Sequence, residues 1–232
     1  RQYAFWTKGS SMSHTVCLIP GDGIGPEVAE ATRRVIDASQ AHINWVELPA
    51  GAGALEEHGD VLPDKTVEAI EVHRVALKGP ITTPIGKGFR SVNVQLRKRL
   101  NLYAAVRPVR SMPGIKTRYE NVEIVVIREN TEGLYSGLEN EITKGVVQSL
   151  KIATRSACER IARFAFNYAR ERDRRRVTVF HKANIMKMSD GLFLDCAREV
   201  HEKEAPDIAY DELIIDNGCM HLVRDQIGRA HV

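Results

Sequence analysis

At 232 residues, 43% of them hydrophobic and 27% charged, the chain is long enough to bury one or two cores and is ordinary for a globular protein. A net charge of +3 excludes the large basic field that nucleic acid or an anionic membrane surface calls for, and no apolar run approaches the ~18 residues needed to cross a bilayer. Cys17, Cys158, Cys196 and Cys219 form neither a Cys-x-x-Cys pair nor a zinc spacing, so they read as small buried hydrophobes of a reduced, cytoplasmic compartment.

Arg1 to Ser11 carry no secretory or transit pattern; they are expected to be a non-native leader, with Met12 as the true start. Thr15 to Pro20 is a short apolar strand that runs into Gly21-Asp22-Gly23-Ile24-Gly25. A helix follows from Pro26 to Ala41, with Pro26 at its first position and Val28, Ala31, Val35 and Ala38 as its apolar stripe. Asn44 to Leu48 reads as a strand, Asp64 to Val72 as a helix and Val75 to Lys78 as a strand. Such alternation predicts α/β layering on a largely parallel sheet.

Further along, Leu96 to Leu102 is helical in pattern and Val122 to Ile127 is a buried strand. Leu150 to Arg172 is the longest predicted helix, with Ala153, Ala157, Ile161, Phe164, Ala165 and Tyr168 on one face. The basic run Arg170 to Arg176 is broken by acids and reads as a solvated helix end. Val177 to His181 is a strand, Gly191 to Lys203 a helix and Leu213 to Ile215 a strand. The closing Ile227-Gly-Arg-Ala-His-Val232 matches an in-frame read-through of a common sequencing-library adapter, so residues 226–232 are expected to be an artefact tail.

Taken as a bare pattern, the glycine-rich turn fails the dinucleotide fingerprint G-x-G-x-x-G, because its third glycine arrives one residue early. It says only that strand and helix meet in a sharp turn. Three separated arginines, a lysine at a strand end and an aspartate beside Asn217 and Gly218 have equally ordinary readings as surface charges and turn formers.

Taken together and in order, the motifs say more. Leu18-Ile-Pro-Gly-Asp-Gly-Ile-Gly-Pro-Glu27, Gly79-Pro-Ile-Thr-Thr-Pro84, Ser91 to Pro108, Arg128-Glu-Asn-Thr-Glu-Gly-Leu-Tyr135, His181-Lys-Ala-Asn184 and Ile215-Asp-Asn217 resemble the β-decarboxylating dehydrogenases. That family contains the isocitrate, 3-isopropylmalate, homoisocitrate and tartrate enzymes. The resemblance runs from about Thr15 to Asp225 and is nearest to NAD-type isocitrate dehydrogenase.

It implies oxidation and decarboxylation of a 2-hydroxy acid bearing several carboxylates. Arg97, Arg107 and Arg128 fall where the family places its substrate arginines, whose planar forks hold carboxylates bidentately. Ser91 and Asn93 resemble the pair that meets isocitrate's third carboxylate, where an apolar tail would strand their polar atoms; Ser91 also reads as an ordinary helix N-cap. Lys182 is implied as the base relay and Tyr135 as the donor of the final proton. Asp216 is implied as the first carboxylate ligand of a magnesium or manganese ion, contributed with Lys182 across a homodimer interface. Thr83 and Asn184 are the implied cofactor contacts, with NAD favoured over NADP.

The implied architecture is the two-domain α/β isocitrate/isopropylmalate dehydrogenase-like fold. Residues 12–106 would be the first half of the large domain and 107–225 most of the small domain, with 133–150 as an arm that clasps a partner subunit. The family's other metal carboxylates, its adenine-ribose loop and its closing strands come later in order, so the 232 residues alone are expected to be unstable and inactive. A sibling substrate and a non-catalytic regulatory subunit remain the alternatives.

Overall fold

The computed structural model describes residues 13–84 and 88–224. The expected leader, Met12 and the expected tail at 226–232 lie outside them. The chain divides into two compact units, one running to Asn101 and one beginning at Leu102.

The first unit runs β1 (His14–Ile19), α1 (Gly25–Ala38), β2 (Ile43–Glu47), α2 (Ala52–His58), α3 (Asp64–His73), β3 (Ala76–Lys78) and α4 (Val92–Arg99). Its sheet has the order β2-β1-β3, wholly parallel, with Cys17 opposite Val46 on one side and Ala76 on the other. Parallel neighbours need crossovers, which α1 and the α2–α3 pair supply. Cys17, Ile19, Leu62, Val92 and Leu96 form the centre of the core. Thr66 is fully buried there and donates its hydroxyl to the Pro49 carbonyl at 2.9 Å.

Helix α1 turns a different face inward from the one its apolar spacing predicts. Val28 and Val35 are exposed, and the buried positions are Gly25 and Ala29. The turn before the helix dictates this. A Cβ on Gly25 would lie 2.4 Å from the Pro20 carbonyl oxygen, one on Gly79 2.0 Å from that same atom, and one on Gly21 1.9 Å from the Pro80 carbonyl oxygen. Gly21 also has φ +83°, a backbone state that favours glycine. The motif's glycines therefore let two chain segments touch backbone to backbone, and that contact sets the rotation of α1.

Asp22 completes the knot. Its amide donates to the Pro80 carbonyl at 2.9 Å, and its carboxylate accepts from Ala52 N–H at 3.0 Å and Thr82 N–H at 3.2 Å. A Cβ on Gly51 would lie 2.5 Å from that carboxylate. The loops after β1, β2 and β3 thus converge on one side chain.

The second unit runs β4 (Ala104–Arg110), β5 (Glu123–Glu129), β6 (Gly133–Thr143), β7 (Val146–Ile152), α5 (Arg155–Glu171), β8 (Arg176–His181), α6 (Ser189–Glu204), β9 (Ala209–Ile214) and α7 (Ile215–Arg224). Strands β4–β5 and β6–β7 pair antiparallel, while β8–β9 pair parallel. The expectation of a largely parallel sheet therefore holds for the first unit and for β8–β9 only. Phe166, Val177, Leu194, Ala197 and Val200 form the core between α5, α6 and β8.

The longest predicted helix is also corrected at its start. Residues 150–152 belong to β7, and α5 begins at Arg155 behind Thr154, whose hydroxyl accepts the Ala157 N–H at 3.3 Å. The β-branched content of Val146, Val147 and Ile152 suits the strand, and the Thr154 cap marks the change. Ala157, Ile161 and Ala165 of the predicted stripe are buried. The basic run is more than solvated, since Arg170 pairs with Asp207, Arg174 with Glu123 and Arg176 with Asp211. Ile215, expected to end a strand, opens α7 instead.

Cys17, Cys158 and Cys196 are buried as expected, and burial pushes the Cys158 thiol up to about 12, leaving it protonated and inert. Cys219 departs from that reading and is exposed on α7. Among the described residues no helix is long and apolar enough to cross a membrane.

Candidate active site

In the first unit the expected substrate residues gather on and before α4. Asn93 and Arg97 are one helical turn apart and share a face. Ser91 occupies the N-cap position, yet its side chain makes no capping bond. Its hydroxyl instead meets that of Thr83 at 3.5 Å. The amide oxygen of Asn93 is buried without a hydrogen-bond partner among the described residues. A buried orphan of this kind costs about 1–3 kcal/mol unless something completes it, and an amide flip would present a donor at the same place.

Lys78, at the end of β3, was read from the sequence only as a strand terminus. Its ammonium donates to the Gly79 carbonyl, and burial, then the neighbouring Arg97 charge, holds its pKa below the usual 10.5, with Asp22 acting the other way. Two partly buried cations side by side gain from an anion placed between them. The available signal was a lysine leading directly into Gly79-Pro80. The native state therefore binds protons at Lys78 less readily than the unfolded chain, so wild-type stability rises as pH climbs towards 10.5. Lys78→Met is expected to melt higher than wild type at pH 7, with the gap closing as pH rises, which thermal melts across that range check.

In the second unit, β4 and β5 pair so that Arg107 opposes Val126 and Ala105 opposes Arg128. Arg107 and Arg128 therefore lie on one face as diagonal neighbours. The Arg128 guanidinium sits 5.0 Å from the centre of the Tyr135 ring and donates to Asn130 Oδ1 at 3.1 Å, and its buried Nε has no partner among the described residues. Between Arg128 and Tyr135 the chain is held by carboxylates whose structural part the motifs do not reveal. Glu129 accepts the N–H groups of Thr131 at 2.8 Å and Glu132 at 2.7 Å. Glu132 accepts the Thr154 N–H at 2.9 Å and its hydroxyl at 2.7 Å. Acids flanking Asn-Thr, able to fold back on their own amides, were the signal.

Lys182 follows β8, and its ammonium forms an ion pair with Asp216 in the first turn of α7. Asp216 thus lies in a helix, not in the turn that its ordinary reading beside Asn217 and Gly218 would place it in. Asn184 is exposed on the turn after Lys182. A cavity of about 560 Å³ in this unit is lined by Arg128, Tyr135, Lys151 and Asp190 over an apolar floor that includes Phe166 and Val179.

Two expected groups can be tested against these residues. Asp216 supplies the hard oxygen that magnesium or manganese prefers. No cluster of three or more His, Cys, Asp or Glu suited to a metal occurs among the described residues, so Asp216 would be one ligand of several. The glycine-rich turn offers no pyrophosphate cradle, because protein backbone fills the space above Gly21 and Gly25. A crevice of about 500 Å³ beyond β1 and β2 is lined by Asp22, Glu47, His58 and Lys65, but not by Thr83, Ser91, Asn93 or Arg97.

The family model described as isocitrate/isopropylmalate dehydrogenase matches residues 15–229. The chain belongs to that family. Its α/β fold accordingly matches the isocitrate dehydrogenase of Methylococcus capsulatus with a TM-score of 0.89 at 46% identity, over 94% of this chain and 65% of that one. The TT0538 protein of Thermus thermophilus matches with a TM-score of 0.87 at 42% identity, over 91% and 43%. Among curated relatives, the chloroplastic 3-isopropylmalate dehydrogenase of Solanum tuberosum is 51% identical, covering 95% of this chain and 62% of that protein. Mitochondrial NAD isocitrate dehydrogenase catalytic subunit 5 of Arabidopsis thaliana is 53% identical, over 91% and 56%. A mitochondrial NAD isocitrate dehydrogenase regulatory subunit of Dictyostelium discoideum is 52% identical, over 95% and 60%. The chain therefore spans 56–62% of the length of these family members.

Proposed function

We propose that the whole protein converts isocitrate to 2-oxoglutarate, with NAD as acceptor and a magnesium or manganese ion in the site, as a homodimer. The observation that carries the substrate is the polar pair at the start of α4, Ser91 just before it and Asn93 in its first turn. Ser91 stands at a cap position without capping, and Asn93 buries an amide oxygen that has no partner among the described residues. With the Asn93 amide flipped so that its NH2 takes the place of the orphaned oxygen, a carboxylate tail accepts from both side chains, whereas the isopropyl group of a sibling substrate would accept from neither.

The nicotinamide would take the hydride, and the ion would polarise the hydroxyl oxygen and hold developing negative charge. The chain's own residues do the rest. Arg97, Arg107 and Arg128 hold carboxylates, Lys182 receives and relays the hydroxyl proton as the neutral amine left once its ammonium has given up a proton, and Tyr135 returns a proton to carbon after decarboxylation. Thr83 and Asn184 face the cofactor in this reading. Asp216 serves as one metal ligand, and its pairing with Lys182 keeps the ammonium beside the carboxylate that would carry the ion.

The regulatory relative favours a second reading, that of a subunit without turnover. Arg97, Arg128, Tyr135, Lys182 and Asp216 together speak for the catalytic one. The deciding measurement is turnover by the whole protein on isocitrate, isopropylmalate, homoisocitrate and tartrate, each with NAD and NADP. Isocitrate with NAD should give the highest kcat/KM, and no turnover on any of them would leave the regulatory reading. Changing Ser91→Ala together with Asn93→Leu should cut kcat/KM for isocitrate more than about tenfold, since each lost polar contact is worth roughly 1–3 kcal/mol. Activity on substrates with apolar tails should fall less or rise, and equal losses on both would mean that these positions do not read the tail.

A further inference from the structure

Asp190, in the first turn of α6, is the one charged side chain among the buried described residues, at 8% exposure. It serves neither as a substrate group nor as a metal ligand in the reading above. One carboxylate oxygen accepts the backbone N–H of Lys182 at 2.7 Å. The other forms an ion pair with Lys151 of β7, whose ammonium also reaches the Met186 sulfur at 3.3 Å. The Lys182 carbonyl accepts two further bonds, from Ile185 N–H at 3.0 Å and Met186 N–H at 2.8 Å, while the neighbouring Ala183 N–H donates to His181 Nδ1 at 3.0 Å. Of the three bonds to the Lys182 backbone, Asp190 supplies the one that comes from a side chain.

Lys151 sits on the hairpin that begins with Gly133 and Tyr135, and Tyr135, Lys151 and Asp190 line the same cavity. A buried carboxylate needs a cation or donors on both oxygens, and here one oxygen is satisfied by the hairpin and the other by the Lys182 turn. Displacing either partner leaves the carboxylate half-satisfied, so the two segments are held in mutual register.

We propose that Asp190 is a positioning residue that fixes the Lys182 peptide, and that Lys151 fixes Asp190, tying the placement of Lys182 to that of the Tyr135 hairpin. This rests on the reading of Lys182 as the proton relay. Its distinctive consequence lies in an asparagine at position 190. Asn has one carbonyl oxygen, and both the Lys151 ammonium and the Lys182 N–H need it. If the ammonium takes it, the amide NH2 faces the Lys182 N–H, donor against donor.

The test uses the whole protein and four variants. Asp190→Ala should lower kcat for isocitrate at least thirtyfold, with KM within threefold of wild type. Asp190→Asn should fall about tenfold. Asp190→Asn combined with Lys151→Met should return to within threefold of Lys151→Met alone, because the single oxygen is then free for the N–H. A merely structural aspartate would lower stability without this reversal. Wild-type kcat in Asp190→Ala, or a double variant as impaired as Asp190→Ala, would overturn the proposal. Hydrogen exchange at the Lys182 amide separates the proposal from the assigned reaction. Exchange should accelerate more than tenfold in Asp190→Ala while the amides of Val177 to Phe180 in β8 stay protected. If wild type turns over none of the substrates, the functional reading fails while this exchange result still decides whether Asp190 holds the turn. An unchanged Lys182 amide in Asp190→Ala overturns it.

Discussion

Lys182→Met and Tyr135→Phe are expected to fail at different steps of one reaction. The methionine keeps most of the lysine stem and removes the ammonium, and with it the ion pair to Asp216. Hydride transfer should then stop for want of a proton acceptor, a loss on the order of 10²–10⁴-fold for a group acting in acid–base catalysis. Oxidation of isocitrate and reduction of added oxalosuccinate should fall together. The phenylalanine keeps the ring against which Arg128 packs at 5.0 Å and removes only the hydroxyl, so KM should hardly move. That variant should reduce oxalosuccinate far better than it completes the overall reaction. Under the homodimer proposal, mixing the two inactive proteins should restore part of the activity, because a heterodimer would hold one composite site free of both lesions. Parallel loss of both half-reactions in both variants would refute the division of labour. No rescue, with subunit exchange shown independently, would refute the shared site.

The second large effect is on stability and separates the three glycines of one motif. Gly21→Ala meets two obstacles, φ +83° and a Cβ only 1.9 Å from the Pro80 carbonyl oxygen. No rotamer change relieves a clash with backbone, so the cost should exceed about 4 kcal/mol, the range in which single changes disable a fold. At ~2–4 °C per kcal/mol this is a fall of roughly 10 °C or outright insolubility. Gly23→Ala shares the positive φ, at +59°, but a Cβ there meets nothing within 4 Å; its cost should be about 1–2 kcal/mol. Gly25→Ala keeps an ordinary φ and meets the Pro20 carbonyl oxygen at 2.4 Å, so it should resemble Gly21→Ala more than Gly23→Ala. Equal melting temperatures for all three variants would show that the turn is not the backbone junction described here.

That junction also marks where the sequence was and was not legible. Strands β1, β5 and β8 and helices α3 and α6 announce themselves by apolar runs and spacing, because each buries a face that periodicity records. The rotation of α1 does not, since it is set by three missing Cβ atoms and a segment more than 50 residues away at Gly79-Pro80. The junction of β7 with α5 was hidden because Leu150 to Ala153 suits either period, and the Thr154 cap alone decides. Among site residues, the motif order carried Arg128, Tyr135, Lys182 and Asp216. The spacing of single residues could not show that Lys182 and Asp216 meet, nor that Arg128 lies over Tyr135, because both contacts are made by the fold. Lys78, Glu129 and Glu132 were passed over because their parts lie in burial and in backbone bonds that no residue pattern encodes.

The hairpin β6–β7 has a consequence in time. A two-stranded ribbon is marginal on its own, and this one is held at its base twice, by Glu132 through Thr154 and, beside the Gly133–Ile152 pair, by Lys151 through Asp190. Lys151 precedes Asp190 by 39 residues, so at a synthesis rate of ~5–20 residues per second the ribbon waits roughly 2–8 s on the ribosome before its second anchor exists. Throughout that interval its strand edges are open to wrong partners, and Leu134, Ile142 and Val147 stay exposed in the folded chain as well.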